Sequence, residues 1–191
     1  MGNFCPSFLF VGRVCPLFLF GDDPMRSKAK YLATGAMIAA AYVALTYLQN
    51  FLLPNSASMA IQFRVSEALC VLAFFSPAAV AGLSVGCFLF NLSYANALPL
   101  DCIVGTAATA LATGGMYLTR KWTFKGYPLL GLLLPALFNG LLVGWELSVY
   151  IGGGFWLNAL YVAIGEAAVL LTLGSGLFFA VRGRKLDEML R

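Results

Sequence analysis

The chain has 191 residues; 61% are hydrophobic, 10% are charged and none is histidine. Soluble domains carry about 25% charged residues, so this chain has too few charges to cover a water-facing surface. That excludes a soluble globule, a disordered tail and a nucleic-acid-binding module, while the missing histidine excludes His-based triads, relays and zinc sites. The net charge of +4 is read as loop placement around a membrane and not as a sign of a polyanionic partner.

In chain order, residues 1–24 hold a near-repeat, Cys5-Pro6-Ser7-Phe8-Leu9-Phe10 against Cys15-Pro16-Leu17-Phe18-Leu19-Phe20. Its apolar runs are too short to span a bilayer, and it carries neither a signal-peptide cleavage site nor a myristoylation signal. Gly21-Asp22-Asp23 back-translates readily to a purine stretch of ribosome-binding type just before Met25. Residues 1–24 are therefore expected to be a non-native or disordered extension, with residues 25–191 as the membrane domain.

Beyond that extension, charge-free stretches run from Tyr31 to Phe63, Ala68 to Leu100, Cys102 to Thr119, Gly126 to Trp145, Leu147 to Gly165 and Ala167 to Val181. A spanning helix needs about 20 mainly apolar residues. Six helices are predicted, over residues 31–50, 59–76, 77–92, 101–119, 127–149 and 156–181. Residues 66–92 read either as one long bent helix or as two short ones broken at Ser76-Pro77, because the residue before a proline disfavours helix. Positive charge decides between them. With six spans and an inside N-terminus, the Arg26-Lys28-Lys30, Arg120-Lys121-Lys125 and Arg182-Arg184-Lys185-Arg191 groups are all cytoplasmic, and only Arg64 lies near an outer loop. Five spans would turn the Arg120 group outward, against the positive-inside rule. The expectation is an all-α integral membrane protein of the cell membrane, with six transmembrane helices and both termini cytoplasmic. The second and third spans are short enough to need tilt or shielding by neighbours.

The five cysteines have no metal-type spacing, and those in apolar spans act as small hydrophobes. The chain has no phosphate-binding loop and no H-E-x-x-H, and no serine or cysteine stands out as the partner of a base. It is not read as an enzyme.

Polar groups inside a bilayer are costly, about 2.5–3.5 kcal/mol for a centred charge, so each needs a reason. The residues concerned are Glu67, Asp101, Glu146 and Glu166, with Arg64, Asn91, Asn139 and Asn158; the topology puts most of them in one outer layer. Asp101 fits a helix N-terminal cap equally well, and Arg64 and Glu67, three apart, fit a local ion pair. Glu146 near a helix C-terminus opposes the helix dipole, and Glu166 falls at mid-depth, so these two are read as functional. Asn139 and Glu146 share one helix face, Asn158 and Glu166 another. Trp145, Tyr150, Phe155, Trp156 and Tyr161 suit an interfacial belt or the walls of a pocket for a flat cationic ring. In the first helix Ala36, Ala40 and Ala44 repeat every four residues, which lets another helix approach closely. That helix belongs either to another protein or to this one.

Three blocks, Gln62-Phe63-Arg64-Val65-Ser66-Glu67-Ala68-Leu69, Gly86-Cys87-Phe88-Leu89-Phe90-Asn91-Leu92 and Leu100-Asp101-Cys102-Ile103-Val104-Gly105-Thr106, resemble the QueT family. These are substrate-binding (S) components of energy-coupling-factor (ECF) transporters associated with uptake of queuosine precursors, and the resemblance runs from about Lys30 to Arg182. It implies the ECF S-component fold, with an outer ligand pocket under the loop after helix one. The partners it implies are a transmembrane coupling protein and two cytoplasmic ATPases. The chain then needs no cofactor, since the partners hydrolyse ATP. Ala36, Ala40 and Ala44 match the face that docks S components to the coupling protein. The implied ligand is a 7-deazaguanine such as preQ1, preQ0 or queuine. Its ring N–H and amine suit a carboxylate, its carbonyl suits a donor, and an aminomethyl cation suits a second carboxylate. The candidate binding residues are Glu146, Glu166, Glu67, Arg64, Asn139, Asn91, Asp101, Gln62 and Asn158. Other readings are an S component for another vitamin or base, a proton-coupled carrier titrating Glu166, and a structural membrane protein.

Overall fold

The computed structural model describes residues 24–54, 64–94, 100–124 and 126–184. The Cys-Pro near-repeat and Gln62 lie outside these residues. Alanine-rich sequence with high helix propensity forms α1, Pro24–Leu52. A 3-10 helix, Val65–Phe74, follows, then α2, Pro77–Ser93. Between the two, Ser76 is extended (φ −142°, ψ 132°) and its Oγ accepts from the Ala78 N–H at 3.3 Å. The Ser76-Pro77 break is thus the one the sequence indicates, with serine as the N-cap and proline at the first helical position, where its lost N–H is harmless.

The second span differs from its predicted extent of 59–76. Residues 59–63 lie outside the described residues, and among those described the span is a 3-10 helix from Val65 to Phe74. Ten residues at about 2.0 Å rise reach about 20 Å, short of a hydrocarbon core of about 30 Å. Shielding by neighbours accommodates it: seven of its ten residues are buried, against α1, α2, α3 and α6.

The chain continues through α3, Asp101–Thr119, and α4, Leu129–Tyr150. Then α5 (Phe155–Val169), a π-helical turn (Leu170–Gly174) and α6 (Ser175–Gly183) join end to end as one rod. Among the described residues four rods are long and apolar enough to cross a membrane: Lys28–Leu52, Asp101–Thr119, Leu129–Tyr150 and Phe155–Gly183. The described residues form no strand.

Contacts between α1 and α2, α2 and α3, α3 and α4, and α4 and α5 set the bundle order. The 3-10 helix returns the chain between α1 and α2, so these two run parallel, with Gly35 opposite Gly82 and Ala39 opposite Gly86. Gly82 is required there: a Cβ at this position would lie 2.4 Å from the Gly35 carbonyl oxygen. Because Gly35, Ala39 and Tyr42 face inward, Ala36, Ala40 and Ala44 point out of the bundle and are exposed. Among the described residues the stripe is not packed against another of the chain's helices.

Gly82→Ala should therefore destabilise the protein by about 1–3 kcal/mol through overpacking against backbone. Gly114 has open space around its missing Cβ, so Gly114→Ala should be neutral or stabilising by up to about 1 kcal/mol. Thermal unfolding in detergent checks both, and equal melting shifts would contradict the close α1–α2 approach.

Candidate binding site

The polar face of α1 organises the start of the 3-10 helix. Tyr42 Oη donates to Glu67 Oε1 at 2.6 Å, Thr46 Oγ1 donates to Ser66 Oγ at 2.8 Å, and the Val65 N–H donates to Gln49 Oε1 at 2.6 Å. Cys70 Sγ donates to the other Glu67 oxygen at 3.0 Å. Both oxygens of Glu67 are therefore engaged inside the protein, and its side chain is buried.

The expected local pair between Arg64 and Glu67 does not form. Arg64 precedes the 3-10 helix in an extended conformation (φ −108°, ψ 105°), so helical spacing does not apply to it. Its guanidinium instead reaches the start of α3, with Nη2 3.5 Å from Asp101 Oδ2. Nor is Asp101 a cap: Leu100 holds the N-cap position without a side-chain bond, and Asp101 is already the first helical residue. The end of α2 is fixed to the same place by Asn91, whose Nδ2 donates to the Asp101 carbonyl at 2.9 Å. Gly105 leaves room for both: a Cβ there would lie 2.9 Å from Asn91 Nδ2 and 3.0 Å from Asp101 Oδ1.

The remaining two acids come from α4 and α5. Glu146 is 0% exposed, and neither of its carboxylate oxygens has a hydrogen-bond partner among the described residues. It lies within electrostatic reach of Asp101 and Arg64. Glu166, 2% exposed, accepts at Oε1 from Asn139 Nδ2 at 3.1 Å, while Oε2 has no partner. It is within electrostatic reach of Glu67 and Arg64. Four carboxylates from four elements therefore lie within electrostatic reach of one guanidinium. The buried atoms here with no partner among the described residues are Asn91 Oδ1, Asp101 Oδ1, both Glu146 oxygens and Glu166 Oε2. Leaving such a group unpaired costs about 1–3 kcal/mol, and more if it is charged. Acceptors of this kind are suited to a guest that brings donors.

Asn139 and Glu146 both lie on the buried face of α4, and Asn158 and Glu166 on that of α5, as their spacing indicates. Asn139 bonds across to Glu166. Asn158 lies about 12 Å along its helix from Glu166 and donates to the Gly152 carbonyl at 3.0 Å, clasping a turn in which Gly152 and Gly153 have φ of 84° and 85°. Trp145, Tyr150 and Trp156 are exposed on the outside of the bundle, as a belt would be, and do not wall the acidic cluster. Tyr42, Thr46, Gln49, Ser66, Cys70 and Gly105 belong to the site, yet sequence reading did not single them out. The available signal was the spacing of Tyr42, Thr46 and Gln49, polar at i, i+4 and i+7 along one face of α1.

A helical bundle with four rods of crossing length, and with its described carboxylates buried together at one end, defines a helical membrane protein built around a polar site. The QueT transporter family model matches residues 32–183, and the chain belongs to that family. It is a transporter and not an enzyme. No curated protein and no solved structure matches the chain.

Proposed function

We propose that the chain is the substrate-binding component of an ECF-type importer in a bacterial plasma membrane, and that the acidic cluster receives a queuosine precursor. In this reading six helices cross the membrane with both termini cytoplasmic, and the cluster opens to the outside. A coupling protein docks along Ala36, Ala40 and Ala44, and two cytoplasmic ATPases bound to it supply the energy. The observation that carries the ligand assignment is Glu146, fully buried with two unpartnered oxygens, beside further free acceptors on Asp101 and Glu166. A 7-deazaguanine offers an N–H and amine edge to one carboxylate and, in its aminomethyl form, an ammonium with three donors to another. Arg64 and Asn139 are the donors nearest to hand for its carbonyl.

Four acids against one guanidinium favour the cationic form. Calorimetry on the isolated protein is expected to show aminomethyl-7-deazaguanine binding more tightly than the neutral nitrile, by on the order of tenfold or more, the equivalent of one charge-assisted hydrogen bond. Absence of both binding heat and thermal stabilisation with every queuosine precursor would remove the assignment.

A further inference from the structure

At the end of the bundle opposite the acidic cluster, a cleft of about 790 Å³ opens among the 3-10 helix, α3 and α6. Its floor is aromatic: the Phe178 ring lies 6.0 Å from Phe74 and 5.4 Å from Phe75. Three cations line it, Arg120, Lys121 and Arg182. Two of them are held in place. The Arg120 guanidinium sits 3.9 Å over the Tyr117 ring, and Arg182 Nη1 donates to the Gly126 carbonyl at 2.8 Å. Among the described residues no acid lines the cleft and none of the three cations pairs with a carboxylate. The four described acids, Glu67, Asp101, Glu146 and Glu166, are not among its lining residues. Three cations with no counter-ion among the described residues, above an aromatic floor in a bundle that sits in lipid, match a molecule carrying both a phosphate and a hydrocarbon chain.

We propose that this cleft binds the headgroup of an anionic phospholipid, with its phosphodiester on Arg120, Lys121 and Arg182 and the start of an acyl chain along Phe75 and Phe178. Guanidinium groups suit phosphate oxygens because their planar fork can donate two bonds at once. Basic pockets between helices at a membrane surface hold lipid phosphates by the same physics. This site stands apart from the ligand assigned to the acidic cluster and does not depend on it.

The test uses the full chain in phosphatidylcholine nanodiscs doped with phosphatidylglycerol, followed by detergent release and native mass spectrometry of the retained lipid. Wild type should retain phosphatidylglycerol over phosphatidylcholine by on the order of tenfold or more. The triple variant R120Q/K121Q/R182Q should approach equal retention, while R120K/R182K should keep much of the preference. Should the triple variant fail to fold, R120Q and K121Q, both at exposed positions, should each lower the preference singly. Equal retention of the two lipids by wild type, or an unchanged preference in folded neutral variants, would overturn the proposal. So would inorganic phosphate raising the melting temperature as much as phosphatidylglycerol at equal concentration, which would mark a free-anion site. Unchanged lipid retention with loss of copurifying subunits would assign the cleft to a protein partner instead.

Discussion

Glu146→Gln should weaken binding of the aminomethyl ligand by on the order of tenfold to a hundredfold and leave the empty protein at least as stable as wild type. The substitution keeps the shape of a fully buried side chain and removes one charge-assisted hydrogen bond, worth about 1.5–3 kcal/mol. No internal partner is lost, because neither Glu146 oxygen has one among the described residues. Glu67→Gln is the informative contrast. Its two oxygens accept from Tyr42 and Cys70, and an amide nitrogen cannot accept from either donor. That variant should lose about 1–3 kcal/mol of stability, and its melting temperature should fall without ligand. Glu166→Gln falls between the two, with one oxygen on Asn139 and one free. Calorimetry and unfolding on the three variants separate binding acids from structural ones. Wild-type affinity in the Glu146 variant would place the ligand elsewhere.

The contrast between Glu146 and Glu67 also shows where sequence reading stops. Charge-free stretches and the positive-inside rule gave helix limits close to those observed, since apolar length and punctuation by charge are local properties of the chain. The Ser76-Pro77 break was legible for the same reason. The second span was not, because hydropathy is blind to the rise per residue: an α-helical reading was given to a stretch whose described part is a ten-residue 3-10 helix ending at Phe74. The depth argument put most of the polar groups in one outer layer with Glu166 deeper, but it could not say which atom meets which. Tyr42 and Glu67 are 25 residues apart, Asn139 and Glu166 27, and Arg64 and Asp101 37. Pairing over such distances is decided by how helices pack, and the packing rests on glycines such as Gly82 and Gly105 that carry no side-chain signal of their own. A spacing rule offered Arg64 the nearest acid in sequence. The extended backbone at Arg64 gave it a different one.

Ala40→Leu should abolish or greatly reduce uptake, by on the order of tenfold or more, while ligand affinity stays at the wild-type value. Ala40 is exposed on α1 between Ala36 and Ala44, so a leucine there meets none of the described residues that pack against α1. In lipid it costs little, because the surroundings are as apolar as the side chain; against another protein's helix it holds the backbones apart and removes the close packing that small residues permit. The inward side of the same helix carries Tyr42 and Thr46, bonded to the 3-10 helix. Ligand-site framework and exposed stripe therefore occupy opposite faces of one rod, and a change on the outer face leaves the inner hydrogen bonds intact. Copurification of the coupling protein should fall in step with uptake, and calorimetry on the isolated variant should be unchanged. Unchanged uptake would defeat the docking assignment. Unfolding of the isolated variant would defeat it too, because a stripe that tolerates no bulk in the absence of a partner packs within its own chain.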